Sequence, residues 1–266
     1  MASDVTPLAS LSLTHVAYDP NDPLSLAAAY LSLLPQALMI VYATLLFSTR
    51  EAEIALMFAG QLACEALNFV LKRLIKQDRP RHIHQSNTKG YGMPSSHAQF
   101  VCFWAVALSL VLLVRHRPTF TKKDTGPRGL GELRVRWTEG GVRVLSADIE
   151  RYAHAPWGVW QRGVVSAGAV AVAGLVAWSR IYLGYHTPTQ VFAGCTAGTL
   201  CGVGWFAVTW VVRETGLLRW ALQVPVARWF RLRDLLVEED LCQAGWEKWE
   251  SRREAREKLE GEKKKR

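Results

Sequence analysis

The chain is poor in cysteine, and it lacks acid where acid would matter most. Its five cysteines are Cys64, Cys102, Cys195, Cys201 and Cys242, and no two form a CxxC pair. Four lie in apolar blocks, which argues against a disulfide framework or a cysteine zinc centre and reads as small core residues. Between Lys72 and Met93 there are six Lys or Arg and a single acid, Asp78. With no acidic cluster to bind Mg²⁺, any phosphate chemistry here is expected to run without a cofactor. Residues 1–25 contain neither Lys nor Arg and no early apolar core, so they do not read as a cleavable signal peptide. The first spanning helix is expected to do the targeting itself. No internal repeat is present.

Half of the 266 residues are hydrophobic, and they come in long blocks. Runs at about Leu26–Phe47, Ile54–Leu74, Ser95–Val114, Gly158–Trp178 and Pro188–Val212 are each long enough to cross about 30 Å of hydrocarbon. The expected fold is therefore all-α: a multi-pass transmembrane helical bundle of about five spans plus interfacial helices. Pro35 is expected to kink the first span and Pro80 to end the second. Residues 1–25, with Asp19-Pro20 and Asp22-Pro23, read as an exposed N-terminal tail. Residues 26–213 form the transmembrane domain, with a polar loop at 115–157. Residues 214–266 form an interfacial segment and a basic tail.

Five spans place the N-terminal tail, residues 72–94 and residues 179–190 on one side. That side carries 7 Lys or Arg and the other carries 25. The positive-inside rule makes the second side cytosolic. The net charge of +9 is thus explained by membrane topology, with no need for nucleic acid.

Three polar pieces share the less basic side. Lys72 and Arg79-Pro80 begin an anion trap, and the two cations share a face if their helix continues. Ser95-Ser96-His97 opens the third span, where Ser96-x-x-Gln99 fits a capping box. Arg180 and His186 precede Thr187-Pro188-Thr189-Gln190, which fits a second helix start with threonine cap, proline at N1 and glutamine at N3. Flanking charges and caps are ordinary explanations for each piece alone. Their placement on one membrane face is harder to dismiss, since two helix N-termini, two histidines and three cations suit phosphoryl transfer. One imidazole would attack phosphorus and the other would protonate the leaving oxygen, and spacing does not say which does which. His82-x-His84 lacks further metal ligands and reads as loop polarity. Glu65, Asn68 and Lys72 fall on one helical face, where Glu65 is expected to pair with Lys72 or another cation.

The pattern KxxxxxxRP, PSxH and SRxxxxxH, spanning Lys72 to Gln190, resembles the three-part signature of the PAP2 (type 2 phosphatidic acid phosphatase) superfamily. SRIYLGYHTPTQ, the compact size and the basic tail are similar to the dolichyl diphosphatases within it. The resemblance implies that Lys72, Arg79, Ser95, Ser96 and Arg180 bind phosphate, that His97 is the general acid, and that His186 is the nucleophile. Two positions depart from the superfamily: Ser96 stands where Gly is frequent, and Gln190 where Asp usually orients the nucleophile. Gln190 either orients His186 or only caps the helix. The implied substrate is a polyprenyl diphosphate, hydrolysed in the endoplasmic reticulum membrane with the site lumenal and the C-terminus cytosolic. Lys263-Lys264-Lys265-Arg266 resembles a dilysine signal read by coat proteins. A phosphatase for another lipid phosphate, such as phosphatidate or a sphingoid phosphate, and a non-catalytic lipid-binding or transport protein are the alternatives.

Overall fold

The computed structural model describes residues 9–11, 16–80, 90–116, 135–138, 141–144 and 157–236, with isolated positions 245, 249 and 253. It divides into two compact units, Met1–Arg115 with Val159–Asp234, and His116–Gly158 with Leu235–Arg266. In the second unit, strands Val135–Thr138 and Gly141–Val144 pair antiparallel, with Val135 opposite Val144. The rest of the basic tail lies outside the described residues.

The first unit is a helical bundle. A short strand pair, β1 (Ala9–Leu11) and β2 (Val16–Tyr18), precedes helices α1 (Pro23–Leu31), α2 (Leu34–Thr49), α3 (Ala52–Ile75), α4 (Ser96–Leu110), α5 (Val159–Tyr182) and α6 (Pro188–Glu214). Two short helices follow, α7 (Leu217–Gln223) and α8 (Pro225–Trp229). Among the described residues, five helical stretches are long and apolar enough to span a membrane: 23–49, 52–75, 96–115, 159–182 and 188–214. The first is broken at Ser32–Leu33, just before Pro35. Pro35 removes an N–H donor, so it is tolerated in the first turn of α2 and not inside a continuous helix. At 7 and 5 residues, α7 and α8 are too short to cross.

Helix α4 is the centre of the bundle. Phe103, fully buried, packs with Tyr42, Ile54, Met57 and Cys64 of α2 and α3. Phe100, Val101 and Ala105 pack on Ala169, Ala173 and Val176 of α5. On its third side α6 lies against it backbone to backbone. A Cβ added at Gly198 would stand 2.2 Å from the Gln99 carbonyl oxygen, and one at Gly194 would stand 2.6 Å from that of Ser95. Gly194, Gly198 and Gly202 repeat every four residues along one face of α6, and small residues there let two helices approach closely without side chains between them. The contact fixes the N-terminus of α4 against that of α6.

Candidate active site

The turn from Arg180 to Thr187 reverses the chain between α5 and α6. The N–H groups of Tyr185 and His186 both donate to the Arg180 carbonyl, at 3.1 and 3.2 Å. Arg180 and His186 are thereby held at one end of the bundle, only 5% and 4% exposed. Thr187 caps α6, and its capping box with Gln190 is complete.

Gln190 also does what a cap alone does not require. Its Oε1 accepts from the Thr187 N–H at 3.3 Å and lies 3.2 Å from His186 Nδ1. Its Nε2 donates to the Asp78 carbonyl at 2.8 Å. A carbonyl can only accept and a peptide N–H can only donate, so these two bonds fix which end of the amide is oxygen. The oxygen faces His186, whose Nδ1 must then carry the proton. Nε2 is left as the lone-pair nitrogen. Burial pushes the His186 ring from its ordinary 6.5 down to about 3; the charges of Arg180 and Arg79 push the same way, and the Gln190 bond opposes them. The ring is then a neutral imidazole with the lone pair on Nε2.

The second wall is the start of α4. Ser95 is its N-cap, and the Ser95 N–H donates to the Gln190 carbonyl at 3.1 Å, joining the two helix starts directly. The Ser96-x-x-Gln99 capping box does not form. Ser95 makes no side-chain capping bond. Gln99 instead accepts from Asn68 Nδ2 at 2.7 Å and donates to the Cys64 carbonyl at 2.9 Å. An amide facing a buried helix satisfies both of its ends there, and a cap would satisfy only one. Ser96 Oγ accepts from Lys72 Nζ at 3.1 Å. Asn68 is accordingly part of the α3–α4 contact.

Helix α3 ends at Ile75, with Lys76 left-handed at φ 52°. Lys72 and Arg79 therefore do not share a helical face: Lys72 is in the last turn, and Arg79 comes from the extended segment beyond it. They still converge, since the charges of Lys72, Arg79 and Arg180 and the ring of His186 all act on His97. Gly92 seats the return of this segment. Its N–H donates to the Gln77 carbonyl at 2.6 Å, and a Cβ there would fall 2.7 Å from Gln190 Nε2. Arg81, His82, His84 and Lys89 lie outside the described residues.

Several donors of this end are unsatisfied. Among the described residues, no hydrogen-bond partner lies on buried Arg180 Nε and Nη1, Arg79 Nε or Ser95 Oγ. Glu65 forms no ion pair among the described residues, and its buried Oε1 has no hydrogen-bond partner, so the expected pairing with Lys72 is not seen. Cationic and hydroxyl donors around a neutral imidazole nitrogen, beside a helix N-terminus with its own open N–H groups, form a cradle for a tetrahedral oxyanion.

Residues 1–25 are not simply an exposed tail. Val16 of β2 is buried against Leu183 and Tyr185, and the Ala17 N–H donates to the Tyr185 hydroxyl at 2.9 Å. Asp22 caps α1 and accepts from the Tyr182 hydroxyl at 2.6 Å. Sequence reasoning passed over Tyr185, Gly92 and the α6 glycines. The four-residue glycine repeat was the one readable signal; nothing local marks the other two.

Residues 53–214 match the family described as the PAP2 superfamily. Along its length the chain is similar to a protein named putative dolichyldiphosphatase from Neurospora crassa, at 58% identity over 99% of both chains. It is 32% identical to dolichyldiphosphatase from Saccharomyces cerevisiae, over 83% of this chain and 79% of that one. It is also 32% identical to dolichyldiphosphatase 1 from Homo sapiens, over 83% of this chain and 85% of that one. Among solved structures it resembles a transmembrane PAP2 type phosphatidylglycerolphosphate phosphatase from Bacillus subtilis, with a TM-score of 0.50 and 19% identity. That match covers 72% of this chain and 79% of the other. At that identity the likeness speaks for the fold.

Proposed function

The chain belongs to the PAP2 superfamily, and from that premise we propose that it is a dolichyl diphosphatase acting through a phosphohistidine at His186. The observation that carries the chemistry is the ring of unsatisfied buried donors around a neutral His186 whose proton is held on Nδ1. The substrate comes from the relatives, above all the one at 58% identity over nearly the whole length.

The terminal phosphoryl group of the diphosphate sits among Arg180, Arg79, Lys72, Ser95, Ser96 and the first N–H groups of α4. His186 Nε2 attacks its phosphorus, and the bond to the bridging oxygen breaks. His97 gives its proton to that oxygen, and dolichyl phosphate leaves. Water then attacks the phosphohistidine, His97 takes a proton from it, and inorganic phosphate departs with Nε2 restored. The positive charge that His186 acquires in the first step is stabilised through Nδ1–H by Gln190. The guanidinium groups hold the equatorial oxygens as charge develops there.

This activity recycles the lipid carrier of protein N-glycosylation and belongs in the endoplasmic reticulum membrane. The excess of Lys and Arg on one side supports a lumenal site and a cytosolic C-terminus, where the terminal Lys263-Lys264-Lys265-Arg266 would be read for retrieval. The full chain, given dolichyl diphosphate labelled with ³²P in its terminal phosphate and quenched early, is expected to carry label on histidine. His186→Ala is expected to lose both label and phosphate release. Unchanged release from the His186→Ala protein overturns the mechanism, and a preference for phosphatidate over dolichyl diphosphate overturns the substrate.

A further inference from the structure

We propose that Tyr185 is a positioning residue for Arg180, and that strand β2 is the brace that keeps Tyr185 in place. This rests on the reading of Arg180 as a phosphate ligand.

A guanidinium buried in a helical bundle has to be held, and the usual holder is a carboxylate. A carboxylate would grip the in-plane N–H edge, which is the same edge a phosphate needs. Arg180 has no carboxylate partner among the described residues. Its Cζ lies instead 4.2 Å from the centroid of the Tyr185 ring. A ring beneath the plane attracts the cation through its face and leaves the in-plane donors unspent. Nε and Nη1 of Arg180 are the two atoms that remain buried without a hydrogen-bond partner. Arg115, at the other end of the bundle, shows the contrast: it too lies over a ring, that of Phe206 at 4.3 Å, but both of its Nη groups are occupied, by Glu53, Thr209 and the Phe206 carbonyl, and Nε alone is left without a hydrogen-bond partner.

Tyr185 is fixed from two directions. Its N–H is tied to the Arg180 carbonyl, so the turn that carries the arginine also folds the ring back beneath it. Its hydroxyl accepts the Ala17 N–H from β2, whose own register is set by pairing Ser10 with Ala17. Val16, Ala28, Ala29 and Leu183 close around the ring. The N-terminal strand thus reaches the phosphate site through one tyrosine.

The test uses the full chain in lipid nanodiscs, with five variants: Tyr185→Phe, Tyr185→Leu, Arg180→Lys, Tyr185→Leu combined with Arg180→Lys, and Arg180→Ala. Turnover of dolichyl diphosphate, binding of inorganic pyrophosphate and melting temperature are measured for each. Tyr185→Leu, which removes the ring, is expected to lower kcat/KM and pyrophosphate affinity together by about ten-fold. Tyr185→Phe keeps the ring and loses the hydroxyl's tether to Ala17, for a loss of about three-fold. In the Arg180→Lys background the further loss from Tyr185→Leu is expected to shrink to under about two-fold, because the two act as a unit. A further loss in that background as large as in the protein that keeps Arg180 makes Tyr185 merely structural and overturns the proposal, as does an unchanged kcat/KM in Tyr185→Leu. If Arg180→Lys lacks measurable turnover, the pyrophosphate affinities of the four proteins decide by the same comparison. Wild-type turnover and pyrophosphate binding in Arg180→Ala would instead show that the underlying site reading had failed.

Discussion

At one end of the bundle Arg115 and Arg213 are answered by carboxylates, and at the other Arg180 has none among the described residues. Glu53, 1% exposed, binds Arg115 and Arg213; Arg213 also grips both oxygens of Asp234, at 2.6 and 2.9 Å. Arg233 pairs with Glu51 at 2.8 Å, and its backbone bridges Arg50 and Ala52. These bonds close the helical turn Val111–Arg115 that continues α4, and the last turn of α6, onto the start of α3. About 29 Å away along α3, Lys72, Arg79 and Arg180 share no carboxylate among the described residues. A buried charge with no partner is costly enough that it marks a place where a ligand supplies the anion. The same residue type is structural at one end and, in the proposed mechanism, a binding group at the other, and its neighbours decide which.

That contrast is open to a crossed measurement. Arg180→Met is expected to lower kcat/KM about 10³-fold. Because it removes an unmatched charge, its melting temperature should hold or rise. Glu53→Gln should do the opposite: it leaves Arg115 and Arg213 without their shared carboxylate, for a loss of about 3–5 kcal/mol of stability. Whatever remains folded should turn over at nearly the normal rate. Denaturation and turnover measured on both proteins decide it, and a destabilised but active Arg180→Met protein would erase the distinction between the two ends.

A smaller effect tests how the active end is assembled. Gly198→Val puts a side chain where the Gln99 carbonyl stands, so α4 and α6 must part. The expected cost is about 1–3 kcal/mol. Activity should fall further than stability, because His97 rides on α4 while His186 and Gln190 are fixed by α6. Equal losses in the two would mean that this contact only holds the bundle together.

How much of this was legible in the sequence depended on range. The five spans, the Thr187–Gln190 box and the gathering of Lys72, Arg79, Ser95, Ser96, His97, Arg180 and His186 at one end follow from local pattern and from alternating helix direction. Expectations failed where a local motif met a long-range partner. Ser96-x-x-Gln99 has the spacing of a capping box, but Gln99 faces α3, and Asn68 and Cys64 take its amide. Lys72 and Arg79 have helical spacing, but the left-handed Lys76 intervenes. Tyr185 reads as one more aromatic in an apolar stretch, because its hydroxyl partner lies 168 residues away. The opposite end was missed for the same reason: Glu53 meets Arg115 and Arg213 only after the chain has crossed the bundle several times.

The finest test concerns Gln190, where the two ends differ least. The amide is neutral, unlike the carboxylates at the Glu53 end, yet it holds His186 and the Asp78 carbonyl at once. Gln190→Glu keeps an acceptor for Nδ1–H and turns an oxygen toward the Asp78 carbonyl. At pH 7 the loss should be only several-fold, about 1 kcal/mol for one hydrogen bond. The larger signature is in acid. In the folded protein the His186 ring titrates at about 3, against its ordinary 6.5 when unfolded. Its contribution to stability is therefore fully present above 6.5 and is lost as pH falls from 6.5 toward 3. Over the same window the ring stays unprotonated, so His186, as the proposed nucleophile, does not set an acid limb of kcat/KM above about pH 5. A carboxylate beside Nδ1 favours the charged ring, and in Gln190→Glu the acid limb should move up by at least about one unit. Superimposable acid limbs in the two proteins would mean that Gln190 caps α6 without governing His186.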